Sequence, residues 1–237
     1  MDAEPDSSTL QWMSDGIWTA SGDVVTAVAG FHYPTRMMVI RLEDDRLWVW
    51  SPVALDEALQ REIDALGEVA HIVAPNSLHH LALADWQSAF PNARLLGAPG
   101  MAAQLSDLKF DGELTDSADP AWAGEIDQVV VRGNRITTEV VFFHRASGTV
   151  IFTDLIQHLP DDWYSGWRRW VARWDRMTGP EPAVPGKFRL AFRDRKLARA
   201  AIDRILAWPV TTVLFAHGEP VRDNAHAFLK RAFAWLR

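Results

Sequence analysis

The sequence predicts a layered α/β fold, and three observations carry that expectation. Short β-prone pieces crowd the first half. Amphipathic helical stretches alternate with apolar runs of strand length in the second half, and no internal repeat or linker-like segment interrupts the chain. Its 237 residues are enough to bury a substantial core, and 48% hydrophobic with 23% charged residues excludes disordered and fibrous classes. We read residues 1–9 as a flexible acidic tail and 10–237 as a single domain.

The elements follow in order. Residues 17–20 and 24–29 are β-prone and are separated by Ser21, Gly22 and Asp23, which predict a turn. Residues 37–42 and 47–50 flank Glu43, Asp44 and Asp45 as a hairpin. Leu55, Leu59, Ile63 and Leu66 recur at helical spacing, with Gly67 as the stop. Residues 71–74 read as a buried strand, and 75–80 as a polar loop leading into a helix that ends near Pro91. A strand over 93–96 and a short helix over 101–105 come next, and 106–120 read as connecting loop. Strands are expected at 126–132, 138–143 and 149–153.

The segment 159–176 places Trp163, Trp167, Trp170 and Trp174 at spacings of four, three and four. That is one helical face, and a face of four indoles is expected to be buried against a sheet, with the interleaved arginines solvated or stacked on it. Residues 179–186 form a Pro/Gly-rich loop. A helix over 193–208, with Leu197, Ala201 and Ile205 on its inner face, leads to a buried strand at 210–216. A last helix runs through Phe228, Phe233 and Leu236.

Composition narrows the chemistry. With no cysteine there is no disulfide framework and no thiolate metal site, so His, Asp and Glu are the available ligands. A net charge of −7 argues against a general phosphate-backbone binder, hence no nucleic acid. No apolar run approaches the roughly 20 residues that span a bilayer, and the first residues lack a secretory pattern. The expectation is a cytoplasmic protein with no membrane partner, a small-molecule substrate, and an architecture compatible with a homodimer. Dinucleotide, P-loop and Gly-x-Ser-x-Gly signatures are absent.

Three polar spots each follow an apolar strand, the place where open α/β sheets put ligands. They are His79 with His80, Thr153 with Asp154, and His217 with Gly218. Three imidazoles and a carboxylate suit zinc, iron or manganese. Each also has a plain structural role open to it: loop chemistry for the histidine pair, capping for Asp154 and a turn at His217. His144 reads as a surface residue between two strands, His158 as a supporting residue near the site, and His32, His71 and His226 as structural or exposed.

This order of elements resembles the metallo-β-lactamase superfamily. The family's His-x-His-x-Asp-His stretch aligns with Pro75-Asn76-Ser77-Leu78-His79-His80, so the last histidine is kept as His80 and His79 replaces the aspartate. The first two histidines fall on Pro75 and Ser77, and the family's Pro-Gly-His appears as Arg132-Gly133-Asn134. Phe152-Thr153-Asp154 matches the bridging aspartate, and His217 the last histidine. Within the superfamily the chain is similar to the DUF4336 proteins through Tyr33-Pro34-Thr35-Arg36-Met37, Trp50-Ser51-Pro52, the 74–80 stretch and Glu125-Ile126-Asp127-Gln128.

The resemblance covers nearly the whole chain after Thr9 and implies an αββα sandwich. It also implies the loss of one metal position and a mononuclear site at His79, His80, Asp154 and His217 holding one divalent ion, zinc ahead of iron or manganese. The implied activity is metal-dependent hydrolysis, with Asp154 ligating and orienting water and Asn76, Asn134 and Arg36 facing substrate. A non-catalytic relative binding a small ligand or protein in the same pocket is the second reading, and an iron oxidoreductase the third.

Overall fold

A computed structural model describes residues 9–237. The tail expected at 1–9 therefore lies, apart from Thr9, outside the described residues. The chain divides into two compact units, one of residues up to Val25 with Pro34–Leu114, the other of Thr26–Tyr33 with Thr115–Arg237.

The first unit is built on a seven-stranded sheet in the order β1 (Gln11–Ser14), β2 (Ile17–Thr26), β3 (His32–Arg41), β4 (Leu47–Trp50), β5 (Val69–Ala74), β6 (Arg94–Gly97) and β7 (Gly112–Glu113). β1 pairs antiparallel with β2, and β3 with β4; from β4 to β7 the pairs are parallel. β4 and β5 are buried at every residue, as strands in the parallel interior of a sheet must be.

Helix α1 (Glu57–Leu66) starts at Asp56, whose carboxylate accepts from Leu59 N at 2.7 Å, and it buries Leu59 and Ile63 at i, i+4. It stops at Gly67, whose φ of +154° favours glycine. In α2 (Leu83–Ala89) the buried Trp86 donates its indole N–H to Val53 O at 2.7 Å. The short α3 (Met101–Gln104) follows β6.

The second unit carries a four-stranded sheet ordered β11 (Thr212–His217), β10 (Thr149–Gln157), β9 (Glu139–His144) and β8 (Ile126–Val131). β8, β9 and β10 run antiparallel, and β10 and β11 parallel. The connection between those last two holds α4 (Gly166–Trp174), α5 (Gly186–Ala191) and α6 (Arg195–Leu206); α7 (Ala225–Ala232) follows β11. Val150, Phe152, Val213 and Phe215 pack with Ile202 and Ile205 of α6 and Phe228 and Leu229 of α7 in one apolar cluster.

Several expectations are corrected. Residues 21–23 are no turn: β2 runs straight through them. Gly22 is there because a Cβ would stand 2.5 Å from Val53 Cβ, so the glycine serves close approach within a strand. The connection over 106–120 contains the edge strand β7. In α6 the buried positions are Ala198, Ala201, Ile202 and Ile205, while Leu197 is exposed. The tryptophan stripe is not buried: α4 starts only at Gly166, and Trp167, Trp170 and Trp174 are exposed. His144 is buried, its Nδ1 2.8 Å from Ser147 Oγ.

Two predictions follow from this packing. Gly22→Ala is expected to cost about 1–3 kcal/mol of unfolding free energy by urea titration, the range for overpacking, whereas a surface turn would tolerate it. Burial also holds the His144 imidazole below its ordinary value. The unfolded chain then binds a proton that the folded one refuses. His144 therefore withdraws stability as pH falls below about 6.5, and a His144→Gln variant should lose less stability between pH 8 and pH 5.5 than the parent.

Candidate metal centre

The site begins with an irregularity in β10. Its parallel pairing with β11 runs in register to Phe152 opposite Phe215 and resumes at Gln157 opposite His217. Five steps along β10 thus match two along β11. Pairing with β9 runs His144 to Phe142 against Thr149 to Ile151, and the same register continued would set 154 opposite 139.

At that point a side chain replaces the ladder. Glu139, wholly buried, accepts from the backbone N–H groups of Thr153 at 2.7 Å, Asp154 at 2.8 Å and Leu155 at 3.0 Å. Burial and the neighbouring Asp154 charge push the Glu139 carboxyl up to about 7, against the pull of those three N–H donors.

The bulged segment presents Asp154. Its Oδ1 accepts from Gln157 Nε2 at 3.2 Å and lies 3.3 Å from His217 Nε2; both side chains of this carboxylate–imidazole pair are nearly inaccessible. His217 ends β11, and Gly218 after it has φ +148°, with a Cβ position only 2.5 Å from His158 O and from the Phe215 ring. Only glycine fits there. His158 is fixed in the same corner: its N–H donates to His217 O at 2.8 Å and its Nε2 lies 2.8 Å from Gly179 O.

A second layer of groups flanks the pair. The Tyr33 ring lies 5.5 Å from the His217 ring. Lys187 Nζ donates to Tyr33 Oη at 2.8 Å, sits 4.9 Å from the Tyr33 ring centre and approaches Asp175 Oδ2 at 3.8 Å. Asp175 Oδ1 in turn accepts from Lys187 N at 2.6 Å. Burial pushes the Tyr33 phenol up to about 12, with the Asp175 and Asp154 charges adding to it. Burial also lowers the Lys187 ammonium from its ordinary value, opposed by Asp175 and Asp154.

In the first unit, the loop after β5 carries His79 and His80. Ser51, at the end of β4 with φ +50°, places its Oγ 2.7 Å from His79 Nδ1, and the Trp50 ring lies 6.4 Å from the imidazole. His80 Nδ1 lies 2.9 Å from Ser77 O in its own loop. Asn76 is buried and its Oδ1 accepts from Leu78 N at 2.8 Å, which shapes the turn before His79. Arg36 is half-buried in β3. Asn134, in the second unit, accepts from Ile136 N and donates to Phe188 O, both at 2.9 Å, so both ends of its amide fasten the connection between β8 and β9.

Of the residues singled out in the sequence, then, Asp154 and His217 are brought together, while His80 and Asn76 are engaged by backbone of their own loop and Asn134 by the backbone of Ile136 and of the distant Phe188. Sequence reading missed Glu139, Tyr33, Lys187 and Asp175. The signal available for Glu139 was a carboxylate opening a strand that is otherwise apolar to its last histidine.

A family model described as a domain of unknown function, DUF4336, matches residues 14–166, well over half of the chain. The chain belongs to the DUF4336 family. No curated protein matches it.

Among solved structures, a metallo-β-lactamase from Pontibacter korlensis is 13% identical with a TM-score of 0.65, over 97% of this chain and 99% of its own. One from Hirschia baltica is 9% identical with a TM-score of 0.66, over 98% and 99%. The metallo-β-lactamase FIM-1 from Pseudomonas aeruginosa, solved in a mono-zinc form, is 12% identical with a TM-score of 0.62, over 95% and 94%. This DUF4336 protein thus has the metallo-β-lactamase-like α/β sandwich fold that its order of elements implied, and its histidine and aspartate donors suggest a metal site.

The Glu139 contacts yield a direct test. Glu139→Gln substitutes an amide nitrogen for one acceptor and sets N–H against N–H. A loss of about 1–3 kcal/mol is expected by urea titration, the cost of an unsatisfied buried donor, and the variant should lose more than Glu139→Met loses relative to its lost packing.

Proposed function

We propose that this DUF4336 protein is a metal-dependent hydrolase with a mononuclear site, in which Asp154, His217 and His79 hold one divalent ion. The observation that carries the reading is the 3.3 Å between Asp154 Oδ1 and His217 Nε2. A charge-assisted N–H···O bond runs to about 2.7–2.9 Å, so this pair is long for one. Two ligand atoms on a tetrahedral ion with bonds of about 2.0–2.1 Å stand roughly 3.3–3.4 Å apart, which is the separation found. A carboxylate with neutral imidazoles fits zinc, and also iron or manganese.

His79 joins the pair on the strength of the resemblance. Its Nδ1–H donating to Ser51 Oγ would leave Nε2 as the ligand atom, the arrangement by which a hydrogen bond on one ring nitrogen fixes the other for metal. An ion held by this set would supply an acidified water and polarise the carbonyl or phosphoryl oxygen of a small ester, thioester, amide or phosphoester. Asp154, whose Oδ1 accepts from Gln157 Nε2, would ligate the ion and orient that water. Lys187, held by Tyr33 and Asp175, supplies positive charge toward Asp154. The substrate is a small molecule.

Metal analysis of the purified and of the zinc-reloaded protein tests this. About one ion per chain is expected. Asp154→Asn and His217→Ala should lose it, Ser51→Ala should weaken affinity by about 10–100-fold as removal of an outer hydrogen bond does, and Lys187→Met should keep it. A reloaded parent that holds no ion, or an Asp154→Asn variant that holds one as tightly as the parent, would sink the reading and leave the non-catalytic ligand binder in its place.

A further inference from the structure

The tryptophan helix is the feature that the metal centre does not absorb. α4 (Gly166–Trp174) begins where the family match ends and belongs to the second unit. Its apolar residues Trp167, Trp170, Val171 and Trp174 fall at i, i+3, i+4 and i+7, one continuous stripe. That stripe faces outward. Trp167 is 55% exposed, Trp170 76% and Trp174 81%, while Ala172 is the helix residue that is fully buried.

The stripe extends onto a neighbouring turn. Arg168 Nε donates to Ala29 O at 2.8 Å and Phe31 meets the Trp167 ring edge-on at 5.7 Å, which brings in the turn carrying Val28, 88% exposed. Scattered exposed apolar residues need no explanation, but three indoles and a valine on one face do. A surface depression of about 760 Å³ runs between Trp167 and Trp170 and the Arg169 and Arg173 guanidiniums, with Asp161 and Thr178 at its edge.

We propose that this face is a docking surface for an anionic phospholipid bilayer, with α4 lying in the plane of the interface. Indoles favour the headgroup level, where the ring is apolar and the N–H stays wet, and arginines beside them can reach phosphate while their stems lie on the apolar layer. The charge argues for lipid over a second copy. α4 carries Arg168, Arg169 and Arg173 and no carboxylate, and among the described residues only Asp161, at 3.4 Å from Arg173, pairs with one of them. Two copies meeting through this face would set arginine against arginine. An anionic headgroup seated between Arg169 and Arg173 would complement both.

The proposal is independent of any metal. It concerns lying on a membrane and not crossing one, since no helix among the described residues is long and apolar enough to span a bilayer.

Co-sedimentation of the full chain with vesicles of phosphatidylcholine alone, and of phosphatidylcholine with phosphatidylserine, tests it. The parent should partition onto the phosphatidylserine vesicles about tenfold more strongly at low salt, and lose that preference as salt rises. A Trp170→Ser/Trp174→Ser variant should lose about tenfold or more in binding, and an Arg169→Glu/Arg173→Glu variant should lose the preference for phosphatidylserine. These side chains are exposed, so thermal unfolding should be unchanged in both and will separate a binding defect from misfolding. No vesicle binding by the parent would overturn the proposal. So would a concentration-dependent dimer, seen by sedimentation equilibrium, that the tryptophan variant abolishes while vesicle binding stays at background.

Discussion

The Glu139 carboxylate lets β10 leave its ladder at the point where chemistry is placed. A strand buried on both faces cannot bulge without orphaning donors, and each unsatisfied buried N–H costs about 1–3 kcal/mol. Three of them would consume a large share of the roughly 5–15 kcal/mol by which a domain is stable. Glu139 accepts all three, from Thr153, Asp154 and Leu155, and does so from the β9 position that the strand register would otherwise pair with 154. The bulge is thereby stable, and Asp154 can present its side chain beside His217 at the end of β11.

That solution creates a charge problem. Glu139, Asp154 and Asp175 are three buried carboxyls; Glu139 senses the Asp154 charge, and Asp175 senses Lys187. Lys187 is the ammonium that faces two of them, Asp175 directly and Asp154 through space. Burial drives Glu139 toward its protonated form. A divalent cation between Asp154 and His217 would offset negative charge at this point without any protonation.

The sequence made the strand-and-helix order legible because periodicity reports it directly. Leu59 and Ile63 on α1, the mainly apolar runs of β5 and β11 and His217 at the end of β11 follow from spacing, whereas Asp154, expected just past a strand end, lies inside β10, which continues to Gln157. What was not legible depends on tertiary neighbours. Gly22 looks like a turn residue in isolation and proves to be a strand residue because Val53 lies against it. Glu139 and Lys187 carry no local motif, and the stretch that holds Tyr33 says nothing of its partner; their significance lies in groups far away in sequence, 154 positions apart for Lys187 and Tyr33. His144 borders a tight connection, yet it is the last residue of β9, and pairing with β8 and β10 buries it.

The α4 stripe marks a deeper limit of periodicity. A 3.6-residue repeat of indoles defines a face but carries no sign: the same pattern serves a helix packed inward and one turned outward. What decides is how the helix is held. A helix of nine residues is too short to persist alone, so something else must fix it. Here the flanks do. Trp163 Nε1 and Tyr164 Oη both donate to His32 O, at 2.9 and 2.6 Å, and Leu159, Tyr164, Ala172 and Met177 form a small buried cluster around the helix ends. Anchored in this way, α4 needs no inward apolar stripe, and its indoles are left to meet something other than the protein's own core.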